Sequence, residues 1–218
     1  MKKVLTERQI KLLKEFGKQN FFIENFYLSR GTALAGFYFF HRYSEDLDFF
    51  SEDEVNSMQI IIFLKSIKDK FTIKKIDFAH SYNRNLFFLH FDDEVLKMEF
   101  TYYPFLRVEK GVKKFGFSID SLLDIAINKL FTIYQRSKAR DYIDLYCICQ
   151  KEKFAIDGLI KIAKIKFDWH IDPIQLGTQF IKAHEVEDYP RMIQKLNKKD
   201  WQDFFMAEAK KLGPNILK

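Results

Sequence analysis

The chain has 218 residues, of which 47% are apolar and 25 are Phe. That is enough to build one large domain or two small ones, and with 30% charged residues to solvate the surface it excludes global disorder. The net charge of +6 biases the protein toward anionic partners such as nucleotides or RNA, although many soluble proteins with no nucleic-acid role are as basic.

The N-terminal MKKVLTERQIKLLKEF is broken by charges throughout, unlike a signal peptide. Within it Ile10, Leu12, Leu13 and Phe16 have helical spacing, with Thr6 as N-cap and Gly17 as stop. FYLSR is short and β-like, TALAGFYFF reads as a short helix, and DLDFF alternates as a strand does. NSMQIIIFLKSIKDK, from Asn56 to Lys70, is an amphipathic helix. Three β-like runs follow, FTIKKIDFA, NLFFLHF and VLKMEFTYY, with Asp92, Asp93 and Glu94 forming a hairpin turn and Pro104 closing the last run. From about residue 118 the pattern turns helical. SIDSLLDIAINKLFTIYQRSK has Ser121 as N-cap and Asp124 in its first turn, ARDYIDLYCICQ is a second helix, and Pro173 and Pro190 mark later boundaries. Cys147 and Cys149 are too few for a disulfide framework and project from different faces of a helix, so reduced thiols are expected. No apolar run is long enough to cross a bilayer; a cytoplasmic protein without a membrane partner is expected. The sequence thus divides into a mixed α/β part, 1–118, and a helical part, 119–218.

Asp46 and Asp48 lie inside an apolar run. Residues two apart on a strand share a face, so the two carboxylates point one way while Leu47 and Phe49 point the other. Like charges held together need an offsetting cation or donors, and Mg2+ takes hard oxygen ligands of this kind; solvated aspartates on an exposed face would give the same pattern. Lys97 and Glu99 share a strand face by the same logic, either at a sheet edge in water or as a third carboxylate. Gly31 and Thr32 stand between a strand-like and a helix-like segment, where free backbone N–H groups attract phosphate.

Together these residues resemble the nucleotidyltransferase AbiEii/AbiGii toxin family, part of the DNA polymerase β-like nucleotidyltransferase superfamily. The first motif matches at Gly31, Thr32, Ala33, Leu34, His41, Arg42, Ser44, Asp46, Leu47, Asp48, Phe49 and Phe50. The second, a Lys-x-acid strand, matches at Lys97 and Glu99, and the third at Lys129, Arg136, Lys138, Arg140, Asp141, Asp144 and Leu145. The resemblance implies an α+β fold: a polymerase β-like core of mixed sheet flanked by helices, then an α-helical C-terminal domain completing the nucleotide cleft. It implies transfer of an NMP from an NTP to an acceptor hydroxyl, with RNA, a tRNA end or a protein hydroxyl as acceptor, by the toxin of a toxin–antitoxin or phage-defence system with a cognate antitoxin. Asp46, Asp48 and Glu99 would be catalytic and hold Mg2+ (or Mn2+), with Glu99 helping to deprotonate the acceptor. Gly31, Thr32, Arg42, Lys97, Lys129, Arg140, Asp141 and Asp144 would bind the nucleotide. For Arg42 the residues alone also allow a surface ion pair with Glu45, and for Asp141 helix-start electrostatics. Arg30 stands where the family usually has Gly, and either offers its guanidinium to the phosphates or narrows the pocket. A nucleotide-binding module without turnover is the alternative reading.

Overall fold

The computed structural model describes residues 4–213, so residues 214–218 of the helix-like tail lie outside the described residues. Two compact units are present. Among the described residues, one comprises 4–38, 44–106 and 111–120; the other comprises 39–43, 107–110 and 121–213.

The first unit is built on a seven-stranded sheet in the order β3-β4-β5-β2-β1-β7-β6. The strands are β1 (Tyr27–Leu28), β2 (Leu47–Ser51), β3 (Lys75–Ser81), β4 (Arg84–His90), β5 (Val95–Tyr102), β6 (Lys113–Lys114) and β7 (Phe117–Ile119). β2 runs parallel to β5 and β1 parallel to β7, while the other pairs are antiparallel, so the sheet is mixed as expected. The alternation that marked these strands works as a sorting rule. Leu47, Phe49, Phe87, Leu89, Met98 and Phe100 all fall on one face and are fully or almost fully buried. On that face Phe49 stacks on Phe100 with ring centroids 4.6 Å apart. Phe16 packs on both, from α1 (Glu7–Phe16), whose buried stripe also holds Leu12 and Leu13. The two- and three-residue β6 and β7 are too short to show a period, which is why the sequence reading passes over them, as it does over α2 (Asn20–Asn25).

α1 begins with a capping box. Thr6 Oγ1 accepts the Gln9 amide N–H at 3.1 Å, and Gln9 Oε1 accepts the Thr6 amide N–H at 2.8 Å. Gln9 Nε2 also donates to the carbonyls of Ser44 and Glu45, tying α1 to the loop that delivers β2. Thr6→Ala is therefore expected to cost about 1 kcal/mol of stability, read from urea unfolding. Gly17 ends the helix, and only glycine fits there, since a Cβ would come within 1.7 Å of the Phe115 carbonyl oxygen. A short helix, α3 (Arg30–Ala33), continues as a π-helical turn, Leu34–Phe39, and α4 (Ser57–Ser66) follows β2.

The second unit holds α5 (Leu122–Gln135), α6 (Ala139–Glu152), α7 (Ile156–Phe167), α8 (Pro173–Ile181) and α9 (Lys198–Leu212). Ser121 caps α5 by accepting the Asp124 amide N–H, and Pro173 sits at the start of α8 behind its Asp172 cap, as their positions predicted. Tyr142, Phe180, Trp201 and Phe205 form an aromatic core from α6, α8 and α9. Buried Asp124 accepts the backbone N–H groups of Val108 and Glu109 and the Lys166 ammonium, which fixes the 107–110 segment. The 39–43 segment is held by a bridge between Arg42 and Met192 and by the Ile193 amide donating to the His41 carbonyl. Cys147 and Cys149 are free, and burial pushes both thiols up to about 12, so neither is a ready thiolate. Among the described residues no helix is long and apolar enough to cross a membrane.

Candidate functional site

The charged face of the first unit follows directly from strand register. β2 and β5 pair so that Asp48 stands beside Glu99 and Phe50 beside Thr101. β4 and β5 pair so that Leu86 stands beside Glu99, Phe88 beside Lys97 and Arg84 beside Thr101. With a period of two, Arg84, Asp48, Phe50, Lys97, Glu99 and Thr101 all project from the face opposite the Phe49–Phe100 core. Arg84 and Thr101 are the members that sequence reasoning missed.

Glu99 is the centre of this face, with 2% of its side chain exposed. Arg84 grips it with a fork, Nε to Oε1 at 2.7 Å and Nη2 to Oε2 at 2.5 Å. Oε1 also accepts from Thr101 Oγ1 at 2.9 Å and from Arg30 Nη1 at 3.2 Å. Burial alone would raise the Glu99 carboxyl, but the Arg84 hydrogen bond, the charges of Arg30 and Arg84 and the Thr101 hydroxyl outweigh it and hold the group at about 2. A carboxylate that weakly basic is a poor acceptor for a hydroxyl proton. Because the folded value lies below the ordinary 4.5, the stabilisation is complete above about pH 4.5. It is lost as pH falls toward 2, and amounts to on the order of 3 kcal/mol. Urea titrations across that window should therefore show a flatter pH dependence for Glu99→Gln than for the unmodified chain.

Asp48 is in the opposite condition. Burial, joined by the negative charges of Glu99 and Asp46, raises its carboxyl against the pull of Arg30 and Lys97. Asp46 is partly exposed and receives Lys97 Nζ at 2.9 Å, and the same ammonium lies 3.7 Å from Glu99. Thr32 is fully buried. Its hydroxyl donates to the Asp46 carbonyl oxygen at 2.9 Å and accepts the Asp48 amide N–H at 3.1 Å, so it staples α3 to the start of β2. Gly31, buried beside it, does not carry the left-handed backbone of this turn; Arg30 does, with φ 51. A non-glycine residue there costs on the order of 1–2 kcal/mol, which accounts physically for a glycine preference at this position. The Arg30 guanidinium also lies over the Phe50 ring, 4.6 Å from its centroid.

The donor set suits a divalent cation in part. Asp46 and Asp48 offer hard oxygens, and the raised Asp48 carboxyl marks a place where added positive charge would be favourable. Of the Glu99 oxygens, Oε1 is occupied by three donors, while Oε2 accepts only Arg84 Nη2, so Glu99 reaches a cation through Oε2 alone unless it sheds a donor. Among the described residues no three His, Cys, Asp or Glu side chains are grouped to hold a metal ion.

The second unit gathers the other predicted residues around α6, where Asp141 and Asp144 share a helix face. Asp144 is fully buried and takes a fork from Arg42, Nε at 2.8 Å and Nη2 at 2.7 Å, with His41 Nε2 at 2.9 Å and Lys129 Nζ at 2.7 Å. Lys129 also donates to Asp141 at 2.7 Å, and Arg136 approaches that carboxylate at 3.4 Å. Burial would raise Asp144, but Arg42 and Lys129 hold it well below the usual carboxylate range; Asp141 is likewise lowered by Lys129 and Arg136 against its own burial. Arg42 is thus a buried partner of Asp144 rather than a surface residue, and the Lys129 ammonium is spent on two aspartates. Arg140, on the same helix, is exposed and does not join the cluster.

Comparison with known proteins gives this geometry a family. The profile described as "Nucleotidyl transferase AbiEii toxin, Type IV TA system" matches residues 11–212. The chain belongs to the AbiEii nucleotidyltransferase toxin family. A relative from Aquifex aeolicus (strain VF5), itself uncharacterized, is 31% identical over 144 residues, and this chain spans 66% of its length. Among solved structures, a candidate nucleotidyltransferase from H. pylori is similar with a TM-score of 0.61 and 21% identity, covering 97% of each chain. MenT4, a nucleotidyltransferase toxin from Mycobacterium tuberculosis H37Rv, is similar with a TM-score of 0.59 and 14% identity, covering 93% of this chain and 83% of that one. At such identities the structural likeness establishes the fold. For this AbiEii-family chain it is the mixed sheet with its helical C-terminal region that the motifs implied.

Proposed function

We propose that the protein transfers a nucleotidyl group from an NTP to an acceptor hydroxyl, using the face that carries Asp46, Asp48, Lys97 and Glu99. The observation that carries this reading is the β2–β5 register, which sets the aspartate of the first family motif beside the glutamate of the second. Asp46 and Asp48 would hold one or two Mg2+ (or Mn2+) ions, which when bound supply charge neutralisation at the triphosphate. Lys97, between Asp46 and Glu99, fixes the Asp46 carboxylate and places a positive charge on the same face. Thr32 keeps Asp46 and Asp48 in place through their backbones. With no covalent intermediate required, catalysis is positioning and electrostatics. In the second unit, Lys129, Arg42, Asp141 and Asp144 form a mutually satisfied network that keeps its cations in fixed positions.

The basic net charge and the toxin–antitoxin setting of the family profile support a nucleic-acid acceptor. We take RNA, and a tRNA end in particular, as that acceptor, with the chain as the toxin partner of a cognate antitoxin in the cytoplasm. Purified protein incubated with labelled NTPs, Mg2+ and total RNA is expected to label an RNA species; absence of label from every RNA and protein contradicts the reading. A second reading, nucleotide binding without turnover, is favoured by Arg30, whose guanidinium closes on Glu99. Mg2+-dependent NTP binding without any label transfer would identify it.

A further inference from the structure

We propose that Glu99 is the anchor of a two-arginine clamp, formed by Arg84 and Arg30, that grips the phosphates of the bound nucleotide; this rests on the nucleotidyl-transfer reading above. The donors around Glu99 are unusually distributed. Glu99 is buried, yet both arginines that hold it are open to solvent, with 44% of the Arg84 side chain and 38% of the Arg30 side chain exposed. A guanidinium carries five N–H donors in a fixed fork. Arg84 spends Nε–H and one Nη2–H on Glu99, and Arg30 spends one Nη1–H. The remaining donors belong to planar groups already locked in orientation, one by the fork to Glu99 and the other by its seat over Phe50. Pre-oriented guanidinium forks suit phosphate oxygens, and the order imposed by Glu99 removes much of the entropy that two flexible arginines would lose on binding.

Charge balance points to the same ligand class. Asp46, Asp48 and Glu99 are matched by Arg30, Arg84 and Lys97 on this face. The face is therefore neutral as it stands, and suited to a cation and a polyphosphate arriving together rather than to a bare cation. Arg30 keeps its position although its backbone is left-handed; strain retained beside a candidate site is a reason to look for a role. Glu99 Oε1 is occupied by Arg84, Arg30 and Thr101, so the clamp assigns this oxygen a positioning role.

The test uses inorganic tripolyphosphate with Mg2+ by calorimetry, and Mn2+ alone by electron paramagnetic resonance, on the full chain. Arg84→Ala is expected to weaken tripolyphosphate binding about tenfold or more. Arg84→Lys, which keeps the charge and loses the fork, should weaken it several-fold and covers the case in which the alanine variant folds poorly. Mn2+ affinity should not fall in either variant, since both keep Asp46 and Asp48 and neither adds positive charge to the face. Unchanged tripolyphosphate affinity in Arg84→Ala overturns the clamp. So does an unmodified chain that binds no tripolyphosphate. Failure of the transfer reading looks different: tripolyphosphate binding then depends on Arg84, but no acceptor is labelled.

Discussion

Asp48→Asn is expected to lower nucleotidyl transfer by ~10²–10⁴-fold, the scale typical of removing one electrostatic group from a preorganised site. The same substitution should leave the fold intact. Burial and the neighbouring carboxylates work against the charged form of Asp48, so a neutral amide of the same shape relieves an unfavourable interaction rather than breaking a favourable one. Activity and stability are therefore expected to move apart, with label transfer lost and the thermal midpoint unchanged or higher, as happens where function holds charges in places the fold would not choose. Full transfer by Asp48→Asn would contradict the assignment.

The second large effect concerns stability. Asp144→Ala removes the shared acceptor of Arg42, Lys129 and His41. Arg42 and Lys129 are buried, so the change leaves two cations away from water with too little negative charge around them. The expected cost is about 3–5 kcal/mol, read as a lower urea midpoint with an unchanged slope. Arg140→Ala, about one helical turn before Asp144 but exposed on the same helix, should change stability by no more than about 0.5 kcal/mol. A loss below about 1 kcal/mol for Asp144→Ala would show that the network is not the support described here.

The parts of the site that were legible in sequence are those set by local period. Asp48 lies between Leu47 and Phe49 and Glu99 between Met98 and Phe100, so their common outward direction is fixed by alternation alone. That the two stand side by side is a register between strands far apart in sequence, and here the family motifs supplied what period could not. Arg84 was within reach. Once Asp92–Glu94 is taken as the turn, the hairpin register sets Arg84 opposite Thr101 and one diagonal step from Glu99. It escaped notice because a basic residue at the mouth of a strand looks like a solvated turn. Arg42 was not legible in this way. Its partner Asp144 lies more than a hundred residues on, and no local pattern distinguishes a buried arginine from one at the surface. The left-handed backbone at Arg30 was hidden for a related reason: the sequence offers Gly31 beside it, and the conformational freedom falls one position earlier than the glycine does.

Anomalous scattering from crystals soaked with Mn2+ and an NTP tests the role of the acidic face most directly. The account predicts manganese bonded to the carboxylates of Asp46 and Asp48, with the triphosphate on the same face. Bound nucleotide with no manganese at either aspartate would contradict it.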